Sequence, residues 1–258
     1  MKILIFTDLH FGSKIENKNK EGINSHGHII KPQLKKLKKI ILKENPDFVV
    51  NLGDTVTAFS HQAAIKIFTE YLNIFNLPMP LYHLHGNHDL IQLTEEELND
   101  LVRQDRNISF IHDGLSHIFV RAIKNREEHL IHVDKETIGW LEKELGKAKG
   151  KVVIYMHYPI SGDKGNLGYY HKERPQQAFI QESKELRDVL EKSGKVLCVL
   201  SGHTHFYFNK KINGIRYITV PSFSEDKDGK PSTEFVIIEL PEMDVEVKSL
   251  ASYKPHHS

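Results

Sequence analysis

Short apolar runs alternate along this chain with amphipathic stretches. Lys2-Ile3-Leu4-Ile5-Phe6-Thr7, Phe48-Val49-Val50-Asn51-Leu52, Leu81-Tyr82-His83-Leu84, Val152-Val153-Ile154-Tyr155-Met156 and Val196-Leu197-Cys198-Val199-Leu200 are short, continuous and mostly rich in Val and Ile. Such runs read as strands covered on both faces. Between them, Leu34, Leu37, Ile40 and Ile41 form a stripe at helical spacing that opens near Pro32 and stops at Asn45-Pro46. The opposite face, rich in Lys, needs no explanation beyond solvent. Ala63 through Phe75 predicts a second helix ended by Leu77-Pro78-Met79-Pro80, and Thr94-Glu95-Glu96-Glu97 a capping box opening a third. A fourth runs from about Asp134 past Ile138, Trp140, Leu141 and Leu145, and a fifth from Glu182 to Lys192.

After Gly202 the pattern changes. Phe206-Tyr207-Phe208, Ile215 to Val220, Phe235 to Leu240 and Val245 to Leu250 read as strands without helices between them, and Asn213-Gly214 is a hairpin signal. The N-terminal part is thus βαβαβ and the C-terminal part antiparallel. Two facing sheets with helices outside accommodate both, which places the chain in the α/β class, or α+β in some schemes.

The polar residues that end the strands carry the chemistry. Asp8-Leu9-His10, Gly53-Asp54, Gly86-Asn87-His88-Asp89, His157 and Gly202-His203-Thr204-His205 each follow one of the five apolar runs. Open α/β sheets bind ligands beyond the carboxyl ends of their strands, so five strands deliver these side chains to one rim. With 17 His in 258 residues, any single cluster could arise by chance. Gly-Asn is a common turn, and a lone His157 would ordinarily be structural. Order and shared context give the set its meaning.

Composition narrows the picture without redirecting it. An apolar fraction of 39% and a charged fraction of 27% describe an ordinary folded protein, and 35 Lys plus Arg against 34 Asp plus Glu leave no bulk field for nucleic acid or an anionic membrane. The single Cys198 lies inside an apolar run and excludes an intrachain disulfide framework. Lys2 is followed by too few apolar residues for a signal peptide, and no run approaches a membrane span, so a cytoplasmic location is expected.

Asp8, His10, Asp54, Asn87, His157, His203 and His205 are seven candidate ligands with only two negative charges. Phosphate ester hydrolysis needs charge neutralised on phosphoryl oxygens and a nucleophile better than neutral water. Two divalent cations about 3.5 to 4 Å apart supply both. A shared carboxylate sets their spacing, and imidazoles complete the spheres without adding charge. Even with a bridging hydroxide the centre stays net positive, which suits an anionic phosphodiester. The ligand mixture fits Mn²⁺, Fe or Zn²⁺.

In this order, Asp-x-His, Gly-Asp, Gly-Asn-His-Asp, His and Gly-His-x-His resemble the calcineurin-like metallophosphoesterase family, over Asp8 to His205. The resemblance implies a four-layer αββα sandwich, two facing mixed sheets flanked by helices, formed by one domain over residues 1–258 with a frayed tail from about 252. It implies that Asp8, His10 and His205 bind one metal, that Asp54 bridges, and that Asn87, His157 and His203 complete the other. It implies that His88 is catalytic, donating to the departing oxygen or stabilising the charged transition state, with Asp89 orienting His88 or packing behind it. Gly-Asn-His-Asp, His157-Tyr158-Pro159 and Trp140-Leu141 are most similar to class III cyclic-nucleotide phosphodiesterases. Lipid-A pyrophosphatases of the superfamily carry Arg where this chain has His88, and its DNA-repair nucleases carry an added capping domain.

The expected function is therefore hydrolysis of a phosphodiester, a small nucleotide-like substrate such as a cyclic nucleotide, by attack of a metal-bound hydroxide. A nucleotide pyrophosphatase or phosphomonoesterase of the same fold is the alternative, and a non-catalytic binding scaffold is the reading from a different class. Substrate choice is expected to lie in two long loops. Gly12 to Lys31 holds Lys14, Lys18, Lys20, His26 and His28, and Gly162 to Gln177 holds Tyr169, Tyr170, His171, Lys172 and Arg174. Tyr169 and Tyr170 could stack on a base or sugar or pack their own loop, and His26 and His28 could contact substrate or face solvent.

Overall fold

The predicted strands form two sheets. In the computed structural model, which describes residues 1–12, 26–125, 128–165 and 167–254, the strands in chain order are β1 (Lys2–Phe6), β2 (Phe48–Asn51), β3 (Leu81–His83), β4 (Ile108–His112), β5 (Leu115–Phe119), β6 (Ile123–Lys124), β7 (Ile131–His132), β8 (Val152–Tyr155), β9 (Val196–Ser201), β10 (Phe208–Ile212), β11 (Ile215–Thr219), β12 (Glu234–Glu239) and β13 (Asp244–Ser249). The helices are α1 (Lys31–Glu44), α2 (His61–Ile74), α3 (Asp89–Gln92), α4 (Glu95–Val102), α5 (Lys135–Lys147), α6 (Tyr169–Lys172) and α7 (Ser183–Ser193). One sheet runs β13-β12-β1-β2-β3, the other β10-β11-β9-β8-β5-β4, and β6 pairs with β7 separately.

Alternation along the strands builds the layers, because successive side chains point to opposite faces. Ile3, Ile5, Phe48, Val50, Val236 and Ile238 of the first sheet meet Phe119, Val153, Tyr155, Cys198, Leu200 and Ile218 of the second in a core between the sheets. The intervening positions face outward. Leu4, Phe6 and Val49 pack with Leu34, Leu37, Ile41, Phe68 and Tyr71 of α1 and α2. Val152, Ile154 and Val199 pack with Ile138, Leu141, Leu186 and Leu190 of α5 and α7. This is the four-layer αββα sandwich expected from the sequence.

The helix ends follow local chemistry. Thr94 and Glu97 close the capping box of α4, Asp134 accepts from the Thr137 amide at the start of α5, and Asn45 takes a left-handed conformation (φ 45°) after α1. Two expectations need correction. The strand expected at Phe206-Tyr207-Phe208 begins only at Phe208, because left-handed backbone at His203 and His205 (φ 70° and 61°) keeps the chain from extended pairing before it. The C-terminal strands are not all antiparallel: Asn213-Gly214 turns β10 back into β11, which inserts beside β9 and runs parallel to it. The β4–β5 hairpin was not anticipated. Its Asp113-Gly114 turn has both residues at positive φ, as a tight two-residue turn requires, but Ser109 and His112 break up the apolar signal of β4. Cys198 is a buried free thiol, and His256, His257 and the rest of the expected frayed end beyond Lys254 lie outside the described residues.

A buried polar network fixes the end of β2. Asn51 Nδ2 donates to Thr55 Oγ1 (2.8 Å) and to the Tyr71 hydroxyl (3.0 Å), while Asn51 Oδ1 accepts from the Gly53 amide (3.0 Å). The Tyr71 hydroxyl also lies within hydrogen-bond distance of the buried His83 Nε2 (3.0 Å). His83 belongs to this network, and the protein environment acts on its titration. Burial, with the Arg121 charge, pushes its pKa down to about 3, and burial with the His112 charge lowers His117 to about 4. Unfolded histidine takes a proton near 6.5, so the unfolded chain binds more protons between 6.5 and these values. Their contribution is present above pH 6.5 and is lost progressively as pH falls below it. Melting temperature should therefore drop on acidification from pH 6.5 toward 4, less steeply in His83→Gln; equal slopes in the two proteins would contradict this origin.

Candidate metal centre

The five predicted clusters meet at the carboxyl ends of their strands. The loops after β1 and β2 are zipped together: the Asp8 amide donates to Gly53 O, His10 to Asp54 O and Phe11 to Thr55 O, each at 2.9 Å. Asp8, His10, Asp54, His203 and His205 all have positive φ, between 46° and 70°. Each such backbone costs on the order of 1 kcal/mol and survives only where surroundings over-determine it. Here the His203 amide donates to Asp8 Oδ2 (3.0 Å), and Thr7 Oγ1 donates to the same oxygen (2.7 Å). The glycines permit the close approach. A Cβ on Gly86 would collide with Asp54 Oδ1, and one on Gly202 with Thr7 Oγ1.

Two groups of donor atoms result, joined by a third. Asp8, His10 and His205 form one, Asp54, His157 and His203 another, and His10, Asp54 and His88 lie between them. Asp54 Oδ2 is 3.9 Å from His10 Nε2 and 3.6 Å from His157 Nε2, so a single oxygen faces both sides. Asp54 Oδ1 accepts from the His88 amide (2.7 Å). His205 Nε2 is 3.5 Å from Asp8 Oδ1 and 3.3 Å from His10 Nε2.

The outer hydrogen bonds set which imidazole nitrogens face inward. His157 Nδ1 donates to Leu52 O (2.9 Å), and His203 Nε2 donates to Gln177 O (2.9 Å). That turns His157 Nε2 and His203 Nδ1 toward the centre. Asp8 Oδ1, Asn87 Oδ1 and His157 Nε2 are buried with no hydrogen-bond partner. Unpartnered buried polar atoms on the residues of this site fit cations, since a buried polar atom is otherwise costly.

The electrostatics agree. Burial works to raise Asp8 and Asp54, but the imidazoles of His205 and His157 beside them, 3.5 and 3.6 Å away, hold both below the usual carboxylate range. Burial and the His88 charge push His10 down to about 3, and burial with the His171 charge takes His203 well below its ordinary value. Burial opposes protonation of His205 too, yet the Asp8 and Glu225 carboxylates, each 3.5 Å away, lift it to about 10. Protons held opposite the carboxylates mark where positive charge is wanted, and metal binding displaces such protons.

The remaining site residues divide. His88 is half-buried on the pocket wall, its Nδ1 3.0 Å from Thr57 Oγ1, which also lies 3.1 Å from His10 Nδ1. Asp89 is fully buried and accepts from the amides of Val56 and Gly86 (both 2.9 Å). Through the Gly86 amide it fixes the turn that carries Asn87 and His88. Burial and the Asp54 charge raise its pKa to about 7. Tyr169, Tyr170 and His171 line the pocket, with His171 Nε2 3.4 Å from His203 O. Arg174 lies outside the lining and sits over the Tyr170 ring, 5.5 Å from its centre. His26 donates to Gly229 O (3.1 Å) and His28 is exposed, so neither lines the pocket. Lys14, Lys18 and Lys20 fall outside the described residues.

Glu225 is the site residue the sequence reading missed. It is 2% exposed, lines the same pocket, and places Oε1 3.5 Å from His205 Nδ1. The site therefore holds three carboxylates near its imidazoles, not two. Lys124 of β6 was also missed; burial lowers its pKa against the opposing pull of Asp54.

A four-layer sandwich with this donor set at its strand ends defines a metal-dependent phosphoric ester hydrolase. The calcineurin-like phosphoesterase pattern matches residues 1–207, and the chain belongs to that family. It is 24% identical to a 3',5'-cyclic-nucleotide phosphodiesterase of Nostoc, across 93% of this chain and 85% of the relative. It is 25% identical to a 3',5'-cyclic adenosine monophosphate phosphodiesterase of Haemophilus influenzae, across 86% and 76%. In fold it is similar to a dimetal phosphatase of Danio rerio, with a TM-score of 0.76, 14% identity and 96% of each chain covered. No helix among the described residues is long and apolar enough to cross a membrane.

Proposed function

We propose that this protein hydrolyses a small nucleotide-like phosphodiester, such as a cyclic nucleotide, at two divalent cations. Asp8, His10 and His205 would hold one, Asn87, His157 and His203 the other, and Asp54 would be shared. The observation that carries this reading is Asp54 Oδ2, placed between His10 Nε2 and His157 Nε2, with Asp8 Oδ1 and Asn87 Oδ1 buried and unpartnered in the same site. Mn²⁺ and Fe suit the mixture of imidazole, carboxylate and amide best, and Zn²⁺ is compatible. Bound there, the cations would neutralise phosphoryl oxygens and activate water.

The protein's own groups do the rest. With Nδ1 engaged by Thr57, His88 has Nε2 for the departing oxygen, as proton donor or charge stabiliser. Asp89 holds the turn that aims it. Tyr170 and His171 line the wall that receives the organic part of the ester. The diester preference draws on the two relatives named as cyclic-nucleotide phosphodiesterases. With metal-free protein reconstituted with Mn²⁺, kcat/KM for bis-p-nitrophenyl phosphate should exceed that for p-nitrophenyl phosphate. The opposite preference would move the assignment to a phosphomonoesterase.

A further inference from the structure

The segment after β11 is built into the floor of the metal centre. Ser222 Oγ and Ser224 Oγ both donate to Asp8 O (3.0 and 2.7 Å), and the Phe223 amide donates to Thr7 O (3.0 Å). These bonds bring the buried Glu225 beside His205, with Oε1 3.5 Å from Nδ1. The same Oε1 accepts from the Tyr169 hydroxyl (3.1 Å). Tyr169 is held elsewhere too: its amide donates to Lys227 O (2.8 Å), and a Cβ on Gly229 would lie 3.2 Å from its ring.

A buried carboxylate is costly unless hydrogen-bonded. The hydrogen-bonding side chains found at Glu225 are an imidazole and a phenol. Histidines that bind metals commonly give their other N–H to a carboxylate, which fixes tautomer and ring orientation.

We propose that Glu225 and Tyr169 are positioning residues for the metal. Glu225 keeps the proton of His205 on Nδ1 and presents Nε2 to the cluster, and the Tyr169 hydroxyl holds Glu225 in that place. A residue on the pocket wall thereby sets the strength of metal binding. The proposal rests on His205 being a ligand.

The test is calorimetric titration of Mn²⁺ into the metal-free full chain and its His205→Ala, Glu225→Ala, Glu225→Gln and Tyr169→Phe variants. Glu225→Ala should weaken binding about 10- to 100-fold. Glu225→Gln should lose less, because its amide oxygen still accepts from His205. Tyr169→Phe should lose about fivefold for one hydrogen bond, although it is no ligand. Long-range ¹⁵N spectra of the protein loaded with diamagnetic Zn²⁺ should show the His205 proton on Nδ1 in the wild type and a weakened or mixed Nδ1–H signal in Glu225→Ala, a signature that general loosening of the fold would not give. If Glu225→Ala fails to fold, the Gln and Phe variants still decide. Unchanged Mn²⁺ affinity in the Glu225 and Tyr169 variants, with weakened affinity in His205→Ala, would overturn the proposal. Unchanged affinity in His205→Ala would overturn the ligand assignment beneath it.

Discussion

Asp54→Ala is expected to cost at least about 10³-fold in kcat/KM for a phosphodiester, because shared charge stabilisation is the largest contribution such a site makes. Two functions go at once. Asp54 Oδ2 is the only oxygen that faces both His10 and His157 among the described residues, and Oδ1 receives the His88 amide. Without the carboxylate, cations on either side would repel each other unscreened, and the turn carrying Asn87 and His88 would keep only its bond to Asp89. Elemental analysis of the reconstituted variant should find fewer than two metals per chain, alongside the kinetic loss. A variant that kept both metals and a tenth of wild-type activity would show that Asp54 is not shared.

His88→Ala is expected to behave differently: metal content unchanged, KM little altered, and kcat lowered about 10²- to 10⁴-fold. His88 reaches Asp54 through its backbone amide, which alanine retains, while its imidazole engages Thr57 and the pocket. The loss should grow with the basicity of the leaving group. p-Nitrophenolate departs without a proton and should suffer least, whereas an alkoxide needs one and should suffer most. A loss independent of the leaving group would assign His88 to charge stabilisation in place of proton donation. Loss of metal would make it a ligand.

Where these two residues gather was legible in the sequence because strand ends are sharp, whereas their different roles came only from the family resemblance. Each apolar run stops abruptly at Asp8, Asp54, Asn87, His157 or His203, and parallel strands deliver all their ends to one rim. The same rule would have found Glu225 had the direction of β11 been known. Read as antiparallel, that strand points its C-terminal end away; running parallel to β9, it delivers Ser222-Phe223-Ser224-Glu225 to the same rim. The hairpin that reverses β10 into β11 decides this, and strand direction after a hairpin depends on which neighbour the returning strand selects. Thr57 and Gln177 were hidden for another reason. Their contacts to His10, His88 and His203 join loops distant in sequence, and a hydroxyl or a backbone carbonyl carries no spacing signal. The substrate loops were legible only in part: Tyr169, Tyr170 and His171 reach the pocket, but the Tyr169 hydroxyl is committed to Glu225.

The central claim is that two cations sharing Asp54 perform the hydrolysis. Stepwise addition of Mn²⁺ to metal-free protein, following bis-p-nitrophenyl phosphate hydrolysis and bound metal together, tests it most directly. Activity should stay low through the first equivalent and rise with the second, saturating at two per chain. Full activity with one equivalent, or in the metal-free protein, would contradict it.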